Sequence, residues 1–319
     1  MKTLWILLSF LFLPFCGTLM GNGIFKHLTL NEGLAHTDAN CVVQDSSGLV
    51  WIGTYGGLQS YDGYTLQTYD YYTDDQTVFK SHNRIYDIAV LENRFWIASE
   101  SGLTCFDTDV RQYVSYILKK NGKQCGIGES AFRVSTSVTE AGQHLWVKND
   151  QGLLVFEVYG DTLSQLEWVN EEERLISKRA YNMHFHGNEA WTVCAGRLCC
   201  LKLQSGSVMM TRSYDIKSLT GSESGYIFIK DDFLYMRIPD GCYRFLIKEG
   251  DIYKDNFSFV EFHTLNAQIP KYTNGYFIVS DNGTLWCCYG GGVFEVQYPF
   301  SETPSAKFYL NNEKEGRSV

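Results

Sequence analysis

Short apolar strands separated by polar turns recur along the chain, and a tryptophan marks most copies. Trp51-Ile52-Gly53-Thr54-Tyr55-Gly56-Gly57-Leu58 reads as Trp, five residues, Gly, then Leu. The same grammar returns from Trp96 to Gly102 and Leu103, from Trp146 to Gly152 and Leu153, and from Trp286 to Gly292 and Val293. Trp191 to Gly196 is one residue shorter, with Leu198 following. Phe228-Ile229-Lys230-Asp231-Asp232-Phe233-Leu234 reads as a fainter copy with Phe in place of Trp. The anchors at 51, 96, 146, 191, 228 and 286 lie roughly 47 residues apart, a period that points to a repeat architecture.

One unit is legible in its second copy. Residues 85–90 predict a strand, Glu92-Asn93 a turn, and 94–99 a second strand carrying Trp96. Glu100-Ser101-Gly102 predicts a turn whose glycine takes a positive φ, followed by strands at 103–106 and 111–116. Four short antiparallel strands in about 45 residues make one propeller blade. A twisted four-stranded sheet cannot bury both faces alone, so the blades must stack. The Trp and the Leu after the Gly are expected to fill the layer between neighbours. The predicted fold is all-β: a β-propeller of four-stranded antiparallel blades, of the seven-bladed type, with six complete blades over residues 34–310. Phe25–Gly33 and Phe308–Gly316 both read Phe-x7-Gly and are predicted fourth strands. The strand at 25–30 is expected to close a further blade whose first three strands lie beyond Val319.

Composition agrees with a β protein: aromatic residues are 15%, glycines 29 and prolines 5. A formal net charge of −9 argues against nucleic acid as a direct partner, because phosphate binding needs a basic face. Residues 1–22 read as a signal peptide: Lys2, a short apolar run from Leu4 to Phe15, then small residues. That run is too short to span a membrane, so residues 23–319 are expected to be an exported propeller. Nine cysteines follow the leader, so at least one thiol stays free. They read as small core hydrophobes, and the neighbours in Cys199-Cys200 and Cys287-Cys288 are expected to face opposite sides of a strand.

Catalytic constellations are scarce. Gly221-Ser222-Glu223-Ser224-Gly225 has Glu where a nucleophile elbow needs Ser, and reads as a polar turn between blades. Gly126-Ile127-Gly128 is too short for a phosphate loop. His184 and His186 share one strand face and read as a polar edge, and Glu171-Glu172-Glu173 reads as a solvated loop. No catalytic residue, metal site or cofactor is predicted.

The stretch Gln44-Asp45-Ser46-Ser47-Gly48-Leu49-Val50-Trp51-Ile52-Gly53-Thr54, with Gly57-Leu58 and Tyr61-Asp62, resembles the two-component regulator propeller repeat. Phe25 to Val43, with Glu32-Gly33-Leu34 and Asn40-Cys41-Val42-Val43, is similar to that family's opening segment. Copies at 96, 146 and 286 are fair matches, while those at 191 and 228 are degenerate. The resemblance implies the periplasmic sensor of a hybrid two-component system of Bacteroides type. Such a sensor lies on the periplasmic side of the inner membrane, as a homodimer in the full-length receptor. It answers to oligosaccharides and controls polysaccharide-utilisation genes. A second propeller, a β-sandwich, a membrane helix and the kinase, receiver and DNA-binding parts are expected beyond the sequence in hand.

In a propeller the loops joining strands two to three and four to one share a face. Sugars present apolar C–H faces that stack on aromatic rings, with hydroxyls bonded by carboxylates and amides. On that face Tyr55, Tyr72, Asp74, Asn149, Asp150, Trp168 and Tyr289 are the candidate ligand contacts. The repeat anchors Trp51, Gly57, Trp96, Gly102, Trp146, Gly152, Trp191, Gly196, Trp286 and Gly292 are assigned to structure. Two other readings compete: a secreted lyase or glycoside hydrolase, marked by converging carboxylates or a His–carboxylate pair in the central channel, and a protein-binding scaffold, marked by an apolar patch on a blade edge.

Overall fold

The register of the Trp-bearing hairpins sets the architecture. The computed structural model describes residues 27–70, 84–126, 130–254, 258–269, 276–289 and 292–310. Among these, six antiparallel sheets follow one another along the chain, and each is a blade. Blade 1 comprises Ala39–Gln44, Val50–Thr54, Gly57–Tyr61 and Leu66–Tyr69. Blade 2 comprises Ile85–Leu91, Arg94–Ser99, Gly102–Asp107 and Gln112–Val114, close to the four strands the second repeat predicts. Blade 3 is built on Ala131–Thr139, Gly142–Asn149, Gly152–Tyr159 and Thr162–Gln165. Blade 4 is built on Ala180–His186, Glu189–Cys194, Arg197–Gln204 and Ser207–Asp215. Blade 5 holds Tyr226–Lys230, Phe233–Ile238 and Gly241–Lys248, with Asp251–Tyr253 and Phe259–Glu261 sharing its fourth position. Blade 6 holds Phe277–Val279, Leu285–Tyr289, Gly292–Gln297 and Ser305–Leu310.

Packing between blades follows the expected rule. Five apolar layers join consecutive blades. Trp51 and Leu58 pack against Ile85, Ile88 and Phe95 of blade 2. Trp96 and Leu103 pack on Ala131, Val134 and Leu145 of blade 3. Trp146 and Leu153 pack on Met183 and Ala190 of blade 4. Trp191 and Leu198 pack on Ile227, Leu234 and Met236 of blade 5. Each layer removes several large side chains from water, worth about 1.5–3 kcal/mol per fully buried residue before entropy is charged. The first strands of the six blades neighbour one another in sequence order around the axis. Arg133 of blade 3 reaches Tyr276, beside blade 6, with a 2.8 Å hydrogen bond.

The fifth layer corrects the repeat anchor assigned to Phe228. Phe228 lies on the first strand of blade 5, not the second. The anchor is Tyr235, six residues before Gly241, and it packs with Cys242 on Phe277, Leu285 and Phe294 of blade 6. A second correction concerns Gly196. Gly57, Gly102, Gly152 and Gly292 each open a third strand at φ between +113° and +152°, which disfavours any side chain. In blade 4 that register position is Arg197, opposite Cys194 as Gly57 is opposite Thr54. There the positive φ moves into the turn itself, at Ala195 (+50°) and Gly196 (+77°), as a two-residue hairpin of primed type requires.

Three further expectations change. Blades are not uniformly four-stranded: Ile117–Lys120 extends blade 3 by parallel pairing on its fourth strand, Lys123–Gln124 pairs antiparallel on Ile117–Lys120, and Glu167–Trp168 pairs in parallel on the fourth strand of blade 4. The strand expected at 25–30 is absent from its described part. Leu30–Glu32 is a 3-10 turn, capped by Thr29 and Glu32 in a capping box and closed by Gly33 at φ +98°. Glu171-Glu172-Glu173 is not a loop but the first turn of the short helix Glu171–Ile176, where Asn170 caps the backbone N–H of Glu172 and acidic side chains complement the helix dipole. Six complete blades stand among the described residues. The further blade was expected from the strand at 25–30, whose described residues 27–30 form no strand, and from three strands beyond Val319.

All nine cysteines after the leader are free thiols. Six are buried as core residues, and Cys199 and Cys200 face different apolar clusters, as strand alternation requires.

Candidate ligand-binding site

The first strands of blades 1 to 4 share a defect at their entry. The pairing register slips between Ala39 and Cys41, Ile85 and Asp87, Ala131 and Arg133, and Ala180 and Met183. Such a bulge re-aims the residue it frees. In blades 2 and 3 the freed residues are Tyr86 and Phe132, whose rings lie 5.8 Å apart. Both line a cavity of about 820 Å³ at the end of the axis. Tyr226, the first strand residue of blade 5, lines it too, and its ring lies 6.1 Å from that of Tyr276. In sequence an aromatic residue opens the first strand of every blade from 2 to 6: Tyr86, Phe132, Tyr181, Tyr226 and Tyr276.

The remaining wall comes from neighbouring elements. Lys148 and Val193 belong to second strands, Ala195 and Gly196 to a hairpin between strands two and three, and Glu223, Ser224 and Gly225 to the crossover into blade 5. Lys178 and Arg179, in the 3-10 turn Ser177–Arg179, complete it. The cavity therefore opens on the face shared by the two-to-three and four-to-one connections, the face the repeat logic selects.

Arg133 organises the floor. Its guanidinium donates to the carbonyls of Tyr86 and Phe132 and to the Tyr276 hydroxyl. Asp87 lies behind it, where burial pushes its carboxyl up to about 6 against the pull of Arg133 and of the N–H groups of Val134 and Ile88. Lys148 donates to the Asn149 carbonyl and stands 5.8 Å from the Phe132 ring centroid, and desolvation draws its ammonium below the usual lysine range. His184, on the first strand of blade 4, is held down to about 4 by burial and packs on Phe228. Among the described residues no cluster of His, Cys, Asp or Glu has the composition of a metal site.

Of the candidates named from sequence, the five that are described, Tyr55, Asn149, Asp150, Trp168 and Tyr289, do not line this cavity. Tyr55 packs edge-on against Tyr86 at 6.0 Å, beneath Arg84. Asn149 is buried and accepts from the Gln151 N–H, closing the hairpin turn on which Asp150 is exposed. Trp168 sits on the added edge strand of blade 4, where its indole donates to the Leu153 carbonyl and packs in the layer between blades 3 and 4. Tyr289 ends the second strand of blade 6. Tyr72 and Asp74 lie outside the described residues. Sequence reasoning missed Tyr86, Phe132, Tyr226, Arg133, Lys148, Lys178 and Arg179. The recurring aromatic at first-strand entries, spaced like the tryptophans, was a signal that could have found three of them.

The opposite face carries the one-to-two hairpins, and these tie blade to blade. Gln143 donates to Glu92, His186 and Asp232 meet at 3.0 Å, and Lys230 bonds Asp281 at 2.5 Å. The His–carboxylate pair thus belongs to a series of hairpin braces and not to the cavity.

The turn at Asp45 explains the best-matching repeat. Asp45 accepts from the N–H groups of Ser47 and Leu49, the Ser47 hydroxyl and the Trp51 indole. Upstream, Gln59 accepts from the Ala35 N–H and donates to the Gly33 carbonyl, pinning the entry segment to the third strand. Residues 33–56, spanning this entry, strand and hairpin, match the family model described as two component regulator propeller. The chain carries the two-component regulator propeller repeat. A stretch of 56 residues is 36% identical to histidine kinase P4 of Formosa agariphila, covering 18% of this chain and 4% of the kinase. Among solved structures, the extracellular domain of a one-component system from B. thetaiotaomicron superposes with a TM-score of 0.62 at 17% identity, over 86% of this chain and 37% of that one. The extracellular domain of a hybrid two-component system from the same organism gives 0.61 at 15% identity, over 89% and 36%. The propeller repeat is thus set in a chain that spans little more than a third of these extracellular domains. Among the described residues no helix is long and apolar enough to cross a membrane.

Proposed function

We propose that this propeller is the ligand-sensing, exported part of a hybrid two-component signal transduction protein, and that its ligand is an oligosaccharide held in the axial cavity. The observation that carries this reading is the aromatic rim. Tyr86, Phe132 and Tyr226 line one mouth, with Arg133, Lys148 and Glu223 as hydrogen-bonding groups around them. Apolar faces with a few placed polar groups suit a sugar ring. Signalling follows if the ligand binds one arrangement of the rim better than another and so shifts a two-state equilibrium in the dimeric receptor. The output is transcription of polysaccharide-utilisation genes, and the propeller lies on the periplasmic side. Among the described residues the cavity wall holds one carboxylate, Glu223, already bonded to Lys217 at 2.9 Å, which favours binding over glycoside hydrolysis with its carboxyl pair.

Titration calorimetry of the chain with a panel of plant and host oligosaccharides tests the reading. Saturable heat that Y226A and F132A each weaken at least tenfold, with the sugar recovered intact, is the expected result. Turnover of the sugar would replace the sensor with an enzyme.

A further inference from the structure

The sequence is acidic overall, at −9, yet the cavity is not. Among the described residues four cationic side chains line it, Arg133, Lys148, Lys178 and Arg179, against one carboxylate, Glu223. That carboxylate is neutralised by its ion pair with Lys217 outside the lining. Arg133 is satisfied by two carbonyls and the Tyr276 hydroxyl and has Asp87 behind it. The other three cations differ. Among the described residues no carboxylate lies within 4.0 Å of Lys148, Lys178 or Arg179. Asp150 acts on Lys148 only from beyond that distance, and Glu171, near Lys178, is already bound bidentately by Arg174.

Lys148 is half-buried, and a cation drawn out of water gains most from an anion brought beside it. Lys178 and Arg179 are exposed at the mouth, positioned to attract that anion and then to bond it. Aromatic rings and three cations with no carboxylate within 4.0 Å among the described residues share one concave wall. From this juxtaposition we infer that the cavity takes an oligosaccharide bearing anionic substituents, carboxylate or sulfate, with the charged groups on the Lys148–Lys178–Arg179 side and a ring face on Tyr226 or Phe132.

The inference rests on the oligosaccharide reading, and the experiment separates the two. Calorimetry on the full chain uses tetragalacturonate, a chondroitin sulfate tetrasaccharide, neutral cellotetraose and inorganic sulfate, each at low and high salt. The expected result is at least tenfold tighter binding of one anionic sugar than of cellotetraose. Added salt weakens it, K178Q/R179Q lowers it at least tenfold, and Y226A lowers it comparably. Tetragalacturonate carries carboxylates alone, so tight binding of it identifies carboxylate, whereas chondroitin sulfate binding lost on desulfation identifies sulfate. The double variant alters two exposed side chains, so an unchanged melting temperature verifies its fold. Cellotetraose binding equally well and ignoring K178Q/R179Q overturns the charge inference and leaves the sugar site standing. Sulfate binding as tightly as the sugars, with Y226A silent, overturns the saccharide reading and this inference with it. No heat with any probe overturns both.

Discussion

Tyr235 lies directly opposite Arg244 across the second and third strands of blade 5, the register that Trp51 makes with Ser60, Trp96 with Cys105, Trp146 with Val155, Trp191 with Cys200 and Trp286 with Glu295. The anchor position therefore survives the loss of its tryptophan. It persists because the layer between blades needs a large ring there. Tyr235 supplies one against the Phe300 ring, while Arg244 covers the neighbouring Phe233 and Phe300 at 4.8 Å.

Y235A should accordingly behave like a core tryptophan truncation and lower stability by about 3–5 kcal/mol. F228A, at the position the sequence pattern suggested, is only partly buried and should lose less than half as much. Urea denaturation of both variants measures the difference, and equal losses would contradict the reassignment.

Two buried groups give opposite pH dependence. Burial raises the Asp87 carboxyl from 3.8 to about 6, so the folded chain holds that proton more tightly and stability falls as pH rises between those values. Burial lowers the His184 imidazole from 6.5 to about 4, so the folded chain holds that proton less tightly and stability falls as pH drops between those values. The two effects oppose each other between pH 4 and 6. His144, also lowered by burial, sides with His184. Wild-type stability should therefore be less steep in pH across that window than with the His184 effect alone. D87N should lose stability on acidification, and H184Q should gain it. Denaturant midpoints at pH 4, 5 and 6 check the three slopes.

Asp45 stitches its turn to Trp51. D45A removes acceptors for two backbone N–H groups, a hydroxyl and the 2.8 Å indole bond, at about 1 kcal/mol for each bond lost. Burial works against its charge, but the Ser47 hydroxyl, the Trp51 indole and the Leu49 and Ser47 N–H groups together hold its carboxyl below the usual range. Its contribution is therefore present above about pH 4 and disappears as pH falls through the depressed value. D45N should retain part of the stability and lose this acid dependence, which thermal melts at pH 3 and pH 7 resolve.

Gly53 tolerates no side chain, because a Cβ there would stand 2.4 Å from Cys41 Sγ and 2.6 Å from Ile85 Cγ2. G53A should destabilise by about 1–3 kcal/mol through overpacking between blades 1 and 2. Removing the nearer clashing atom in C41A/G53A should recover part of that loss. A double variant no more stable than the additive sum would show that the clash is not the cause.

How much of this was legible in the chain follows from distance along it. The period of the tryptophans, the hairpin turns after them and the apolar residue seven positions on are local features, and each strand lies beside its sequence neighbour. Hydrophobic alternation and turn chemistry therefore determined six blades, their order and the layer between each pair. The anchor of blade 5 was misread because Phe228 and Tyr235 both sit in apolar strands, and only the pairing register separates a first strand from a second.

The cavity itself was decided by tertiary structure. Its wall draws on Tyr86, Phe132, Lys148, Val193 and Tyr226, residues from four blades that meet only when the sheets are arranged around an axis. Bulges, which leave no fixed mark in a sequence, re-aim Tyr86 and Phe132 at the rim, while Trp168 and Asn149, equally plausible on paper, are drawn into packing and turn closure. A repeat specifies what every unit shares, whereas a site is made from the ways the units differ once they are brought face to face.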